Sequence, residues 1–471
     1  MKIQTIIASD LRGRFPEYRR PLFCVAILDG RMELEQFGRD TMLGNWKKIW
    51  AAGISSLLLL SALISVGAGT ANAADTTAIQ DSGQDVFRIV ALGDSITAGY
   101  EPGMTDVNTK PYGYAERLLE QGWYHGRSAL TNYGILGLTT AGLRNYTGAI
   151  KDGSVITVEG VQAGLPDPRI EQFVKLTPQI AAELKEADLI TITIGGNDVS
   201  SLFLQFKELT DADFQTQLDQ RLTDYQTNVK AVLENIRAVS PQTTIILADQ
   251  YQPAPKVALG QMYNRLMTAA GKFTEAADSV AASVNQEGAK VLVAHVAAKF
   301  AGVEGSLTHI IGAGQTDFHP TQLGYETIAK VFAELQWGEY RVPTVATMAT
   351  ASVPMSIVVK GVELNTPNKP ILKNGQNFLA LKDILNAVGA SGKWDNKTSS
   401  ATIVYGGRTV VITIGSKFIK VNGENVAIDT PAFLQKVGKE DKTYLPLAAL
   451  ATGLGFDVNY SSKLRTAFIN P

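Results

Sequence analysis

The stretch VFRIVALGDSIT, residues 86–97, decides how the rest of the chain is read. Its first seven residues are a short apolar run closed by Gly93, the pattern of a strand buried on both faces of a parallel sheet. Ser95 comes just past that run. There it is expected to stand at the carboxyl edge of the sheet and to open the next helix, where a helix N-terminus favours negative charge. Taken alone, a serine in that place is most often an N-cap.

Working outward, four more runs read as strands: 129–134, 188–195, 243–249 and 289–296. Helical segments lie between them. In 210–237, Phe214, Leu218, Leu222, Tyr225, Val229, Val232 and Ile236 recur at steps of three or four and make one apolar stripe. Residues 178–187 begin with a proline suited to a first helical turn, and 257–284 and 320–335 complete the set. The alternation predicts an α/β domain over 86–337, a doubly wound α/β/α sandwich on a five-stranded parallel sheet, with its ligand outside the carboxyl ends of the strands.

Chemistry-bearing residues recur at those strand ends. The third strand runs into Ile194-Gly195-Gly196-Asn197-Asp198, and the second into Asn132-Tyr133-Gly134-Ile135-Leu136-Gly137. Such glycine-rich turns expose backbone N–H groups, and Asn197 adds a carboxamide; an oxyanion needs two or three donors of this kind. Gly134 reads as a residue that merely permits a tight turn. Asp317-Phe318-His319-Pro320 precedes the last helix, from which an imidazole can reach back as general base. Of the other histidines, His125 falls in a polar turn and is expected at the surface. His295 falls in an apolar strand and is expected in the core, and His309 carries no signal.

GDSI at 93–96, Gly137, GGND at 195–198 and the His319 block, in that order, resemble the SGNH (GDSL-type) hydrolases. The resemblance implies a flavodoxin-like fold for 86–337 and a serine esterase or lipase. Ser95 would be the nucleophile and His319 the base. Ser95 N–H, Gly137 and Asn197 would form the oxyanion hole, with Asp94 and Gly196 in support. The family's acid stands three residues before the histidine, where this chain has Thr316. The nearest carboxylate, Asp317, is taken as the acid, with a backbone carbonyl as the alternative orienter of the ring. The mechanism so implied is acyl transfer through an acyl-serine, with no cofactor and no metal. The substrate would be a small ester or an acylated carbohydrate or lipid. Residues 144–177 are expected to line its acyl or alcohol site.

The remainder of the chain differs. Residues 338–354 lack periodicity and read as a linker. Beyond them, 378–403 align without gaps onto 444–469 at an offset of 66, matching Leu379/Leu445, Leu381/Leu447, Gly389/Gly455, Trp394/Tyr460 and Ile403/Ile469. Residues 358–364 align onto 420–426 at an offset of 62. Each unit reads as a strand pair, a short helix and a closing strand, and two copies bury a face that one cannot. KVNGENVAI, TYLPLAALATGLG and KWDNKT resemble the copper amine oxidase N-terminal-like module. Residues 355–471 hold neither histidine nor cysteine, so no copper is expected there. The resemblance suggests an α+β adhesive or stalk module touching cell-wall polysaccharide. The competing reading of the whole chain, which the displaced acid favours, is an inactive or weakly active surface protein with these repeats as its binding module.

Residues 49–69 are the one long apolar run, preceded by Lys47 and Lys48 and followed by Ala71-Asn72-Ala73. Together they describe a signal peptide over 42–73, cleaved before Ala74. An uncleaved anchor is the competing reading. Residues 1–41 are expected to come from a start placed upstream of Met42, and 74–85 to be a short linker. The mature protein would be secreted, free of the membrane and associated with the wall. Its 34 basic and 39 acidic residues give no reason to expect nucleic acid as partner. The chain's single cysteine, Cys24, excludes an intramolecular disulfide and a thiolate metal cluster.

Overall fold

Alternation along each strand divides the first domain into two cores. Ile89 and Ala91 point to one side of the sheet, Val90 and Leu92 to the other, and all four are buried. The computed structural model describes residues 86–471 apart from 105–110, 206–207, 261, 286–289, 312–316 and 345–354. The leader, the 74–85 linker, Thr316 and most of the 338–354 linker lie outside the described residues. The described residues belong to one compact unit.

The five strands are β1 (Phe87–Gly93), β2 (Ser128–Gly134), β3 (Leu189–Thr193), β4 (Thr244–Ala248) and β5 (Val291–Ala294). All neighbours are parallel in the order β2-β1-β3-β4-β5. The strand order reverses beside β1, so the topological switch point lies between β1 and β3. Ser95 follows one of these strands and Asn197 the other.

One face of the sheet is covered by α1 (Tyr114–Gly122) and by three later helices, α10 (Val296–Phe300), α11 (Glu304–Leu307) and α12 (Gln322–Trp337). Thr321 caps α12 by accepting from Gly324 N–H, and Gly338 ends it in the left-handed conformation. The other face carries α2 (Thr140–Lys151), the short α3 (Val158–Val161) and α4 (Ile170–Phe173), α5 (Thr177–Lys185), α6 (Gly196–Gln205) and α7 (Asp211–Val239). The α7 stripe is the expected one, capped by Thr210 and carrying Asp211 and Asp213 in its first turn.

Three expectations are corrected. The 257–284 segment is two helices, α8 (Lys256–Leu259) and α9 (Met262–Val284), because Gly260 takes φ 58 and turns the chain between them. Ser95 opens no helix: residues 95–99 form a turn, with Asn132 Nδ2 capping the Thr97 carbonyl at 2.8 Å. His295 is exposed beyond the end of β5, 3.6 Å from Asp278, because the apolar run passes from strand to helix and Val296 takes the buried place. His125 is at the surface as expected, stacked on Trp337.

The second domain begins with the hairpins β6 (Ser356–Val359)/β7 (Val362–Glu363) and β8 (Ile371–Lys373)/β9 (Gln376–Ala380). After α13 (Leu381–Val388) come β10 (Ser391–Asp395), β11 (Ser400–Tyr405) and β12 (Arg408–Thr413). The second repeat supplies β13 (Phe418–Val421), β14 (Glu424–Ala427), β15 (Phe433–Val437), β16 (Glu440–Pro446), α14 (Leu447–Leu454), β17 (Asp457–Ser461) and β18 (Thr466–Asn470). Each unit is therefore richer than a strand pair and a closing strand, and neither closes on itself. The last strand of the second repeat, β18, runs parallel to the first strand of the first, β6. At the centre β9 and β16 are antiparallel, with the equivalent residues Leu379 and Leu445 directly opposed and both buried. The repeats are thus related by a pseudo-two-fold through that pair.

This domain packs on the turn between α1 and β2, at the amino ends of the strands and away from Ser95. Arg127 donates to Gly455 O at 2.6 Å, and Asn470 Nδ2 to Trp123 O and Gly126 O at 3.0 Å. Phe468 sits edge-on to Tyr124, and Ser461 donates to the buried Glu120 at 2.5 Å. Burial raises the Glu120 carboxyl above its usual range.

Candidate active site

The turn after β1 is held from beneath. Gly93 takes φ 138, and a Cβ there would lie 2.1 Å from Thr193 O, so only glycine lets β1 and β3 approach this closely. Asp94 is buried and its carboxylate accepts from Ile96 N–H and Thr193 Oγ1, each at 3.0 Å. Burial raises its pKa to about 6 against these hydrogen bonds. Thr97 Oγ1 reaches Leu92 O (3.0 Å) and Thr193 Oγ1 (2.7 Å), and Tyr114 OH links Thr97 to Thr191. Ser95 is thereby presented on a braced turn rather than on a free loop.

His319 comes to Ser95 from the far end of the domain. Its Nε2 lies 2.8 Å from Ser95 Oγ, and its Nδ1 lies 2.7 Å from Asp317 Oδ1. The same oxygen accepts the His319 backbone N–H at 2.8 Å, which lets a carboxylate only two residues away reach the ring. Partial burial works to raise the Asp317 carboxyl, but the hydrogen bonds from His319 hold it below the usual range. His319 O accepts from His309 N–H (3.0 Å), Phe318 O accepts from Tyr251 OH (3.1 Å), and the Tyr100 ring stands edge-on to the imidazole at 4.6 Å.

Asn197 opens the third strand-end turn at the start of α6. Its Nδ2 donates to Leu138 O at 2.8 Å, so one carboxamide N–H is fixed and the other remains for a ligand. Asp198 anchors the turn by accepting from Thr140 Oγ1 (2.6 Å) and Thr140 N–H (3.0 Å), and burial raises its carboxyl. Gly137 lies on the Leu138 loop, with its carbonyl taking Gln162 Nε2 at 3.0 Å. Ser95, His319, Asn197, Asp94 and Gly196 line one cavity, and Gly137 lies outside its lining.

The expectation that 144–177 line the acyl or alcohol site is not met on the side of this cavity, while Pro166 of that segment packs beside Gly137. None of that segment lines the cavity. It braces the Gly137 loop instead, through Gln162 and through Asp167, which accepts Leu136 N–H at 2.9 Å and pairs with Arg169. The cavity walls come from α6, α7 and α9, whose apolar residues the sequence presents as ordinary core. Thr191 and Thr193, which brace the Ser95 turn, stand outside the motifs. Their signal was two hydroxyls alternating with isoleucines in a fully buried strand.

Residues 89–332 match the GDSL-like lipase/acylhydrolase family, and 358–469 match the copper amine oxidase N-terminal domain. Three similar solved structures indicate the breadth of likeness. A lipase from a goat rumen metagenome is 20% identical, covering 54% of this chain and 98% of that one, with a TM-score of 0.35. An extracellular lipase from Streptomyces rimosus is 17% identical, covering 53% and 99%, at 0.36. A catalytic mutant of an acetylxylan esterase from Geobacillus stearothermophilus is 18% identical, covering 52% and 92%, at 0.33. No curated protein matches the chain. The donor set of the second domain does not fit copper, since 358–469 contain no histidine, cysteine or other usual copper ligand cluster among the described residues.

Proposed function

We propose, from the premise that this chain belongs to the GDSL-like lipase/acylhydrolase family and is an ester hydrolase, that it cleaves carboxylic esters through an acyl-serine on Ser95. The observation that carries this reading is the continuous chain Ser95 Oγ, His319, Asp317 at 2.8 and 2.7 Å. His319 Nε2 takes the Ser95 proton as Oγ attacks the ester carbonyl, and Asp317 holds the ring and steadies the imidazolium. The oxyanion rests on Ser95 N–H, Gly137 N–H and the second N–H of Asn197. His319 returns its proton to the leaving alcohol, then activates water to release the acid. Every proton in this sequence moves between the protein's own groups, substrate and water.

The reading of an inactive surface protein drew on the displaced acid, and Asp317 sits within hydrogen-bond distance of the ring it would have failed to reach. We further propose that the protein is exported, cleaved before Ala74 and held at the cell wall by its second domain. N-terminal sequencing of the secreted protein tests the first step. For the reaction, the test is hydrolysis of 4-nitrophenyl butyrate by the chain and by Ser95→Ala. Turnover that vanishes in the variant supports the acyl-serine, and turnover that persists overturns it.

A further inference from the structure

We infer that the cavity between α6, α7 and α9 receives the acyl chain of the ester, and that the enzyme selects saturated chains of about six to eight carbons over acetyl groups. This rests on the proposed role of Ser95. The cavity is continuous with Ser95, Asn197 and His319 and runs inward to Phe214 and Leu218 on α7 and to Ala269 and Phe273 on α9. All four of these inner residues are buried and apolar. Its volume of about 170 Å³ compares with the roughly 150 Å³ of an engineered apolar cavity in another protein that takes up benzene, a six-carbon ligand.

Away from Ser95, Asn197 and His319, the side-chain donors in the wall are engaged within the protein. Gln250 Nε2 donates to Ile194 O (2.6 Å) and Gln252 Nε2 to Glu304 (2.8 Å), while Gln252 Oε1 accepts from Ala254 N–H (2.9 Å). Tyr251 OH donates to Phe318 O and Ser200 Oγ to Asn197 O. A sugar pushed into this space would find few donors for its many hydroxyl oxygens and none along the Phe214, Leu218, Ala269 and Phe273 wall, whereas a methylene chain needs none. An ester whose carbonyl sits at Ser95 therefore has its acyl side directed between α7 and α9, with the alcohol left outside.

The experiment is the kcat/KM of the full chain on 4-nitrophenyl esters from acetate to dodecanoate, with Ala269→Phe to fill the cavity and Leu218→Ala to enlarge it. The value should rise roughly fourfold per methylene to a maximum at hexanoate or octanoate. Ala269→Phe should move the maximum to butyrate or shorter, and Leu218→Ala should move it to longer chains. A maximum at acetate, or a maximum that neither variant moves, overturns the inference and leaves the serine esterase standing. Octanoate binding to Ser95→Ala, read by calorimetry, needs no turnover. Octanoate bound by a protein that hydrolyses no ester would remove the proposed reaction and keep the cavity assignment. Absence of binding would overturn the assignment.

Discussion

The turns that end β1 and β3 solve one problem in two ways. Each follows a buried parallel strand, each holds a functional side chain over the switch point, and each sets an aspartate next to it, Asp94 buried and Asp198 partly buried. Asp94 is fastened within the sheet, to a threonine of the adjacent strand. Asp198 is fastened outside it, to the first turn of α2. The difference teaches where rigidity matters: the attacking oxygen is tied to the stiffest part of the domain, and the carboxamide to the helix whose preceding loop carries Gly137. The carbonyl of Leu138, on the loop that carries Gly137, orients Asn197.

Substitutions can break this comparison. Asp317→Asn should lower kcat by up to about 10⁴-fold, because an asparagine at Nδ1 fixes the wrong tautomer of the base; near-normal turnover would mean that Asp317 does not orient the ring. Asn197→Ala, which removes one oxyanion donor, should lower kcat by about 10²- to 10³-fold with KM little altered. A KM effect alone would assign Asn197 to substrate binding. Asp94→Asn tests the first anchor through pH. With its folded pKa raised to about 6, the Asp94 carboxyl favours the fold when protonated. That contribution is complete below the ordinary pKa near 3.8 and is lost as pH rises through 6. The neutral variant should therefore gain on the wild type by about 2 kcal/mol between pH 4 and 7.5, seen in denaturant melts at the two pH values. A constant difference would show that the carboxyl is not strained. Asp198→Asn should have the smallest effect, about tenfold on kcat, since an amide keeps one acceptor for Thr140; a loss matching that of Asn197→Ala would make the second anchor as stringent as the first.

Much of the first domain was legible because its signals are local. Strand-end runs such as 86–93 and 244–248 carry their burial in their composition, and Ser95, Asn197 and His319 stand in short motifs. Asp317 was legible as a candidate but not as a partner, because its reach depends on a bend that brings one oxygen to both the ring and the backbone N–H of His319. The cavity was illegible for a different reason. Phe214 and Leu218 belong to the same stripe as Val229 and Val232, and nothing in the spacing says which part of a stripe faces a neighbour and which faces a gap. His295 was misplaced because an apolar run does not reveal where a strand becomes a helix. In the second domain the offset of 66 identified equivalent residues, but equivalence does not state which strand pairs with which.

The opposition of Leu379 to Leu445 has a consequence for assembly. Residues that face their own equivalents across a two-fold form an isologous contact, the kind that joins identical subunits in a closed dimer. One repeat therefore carries half of a self-complementary interface, complete when a second copy meets it. Within one chain the domain has the arrangement of a closed dimer, broken only where β12 stands between β11 and β13 while β18 pairs β6 directly.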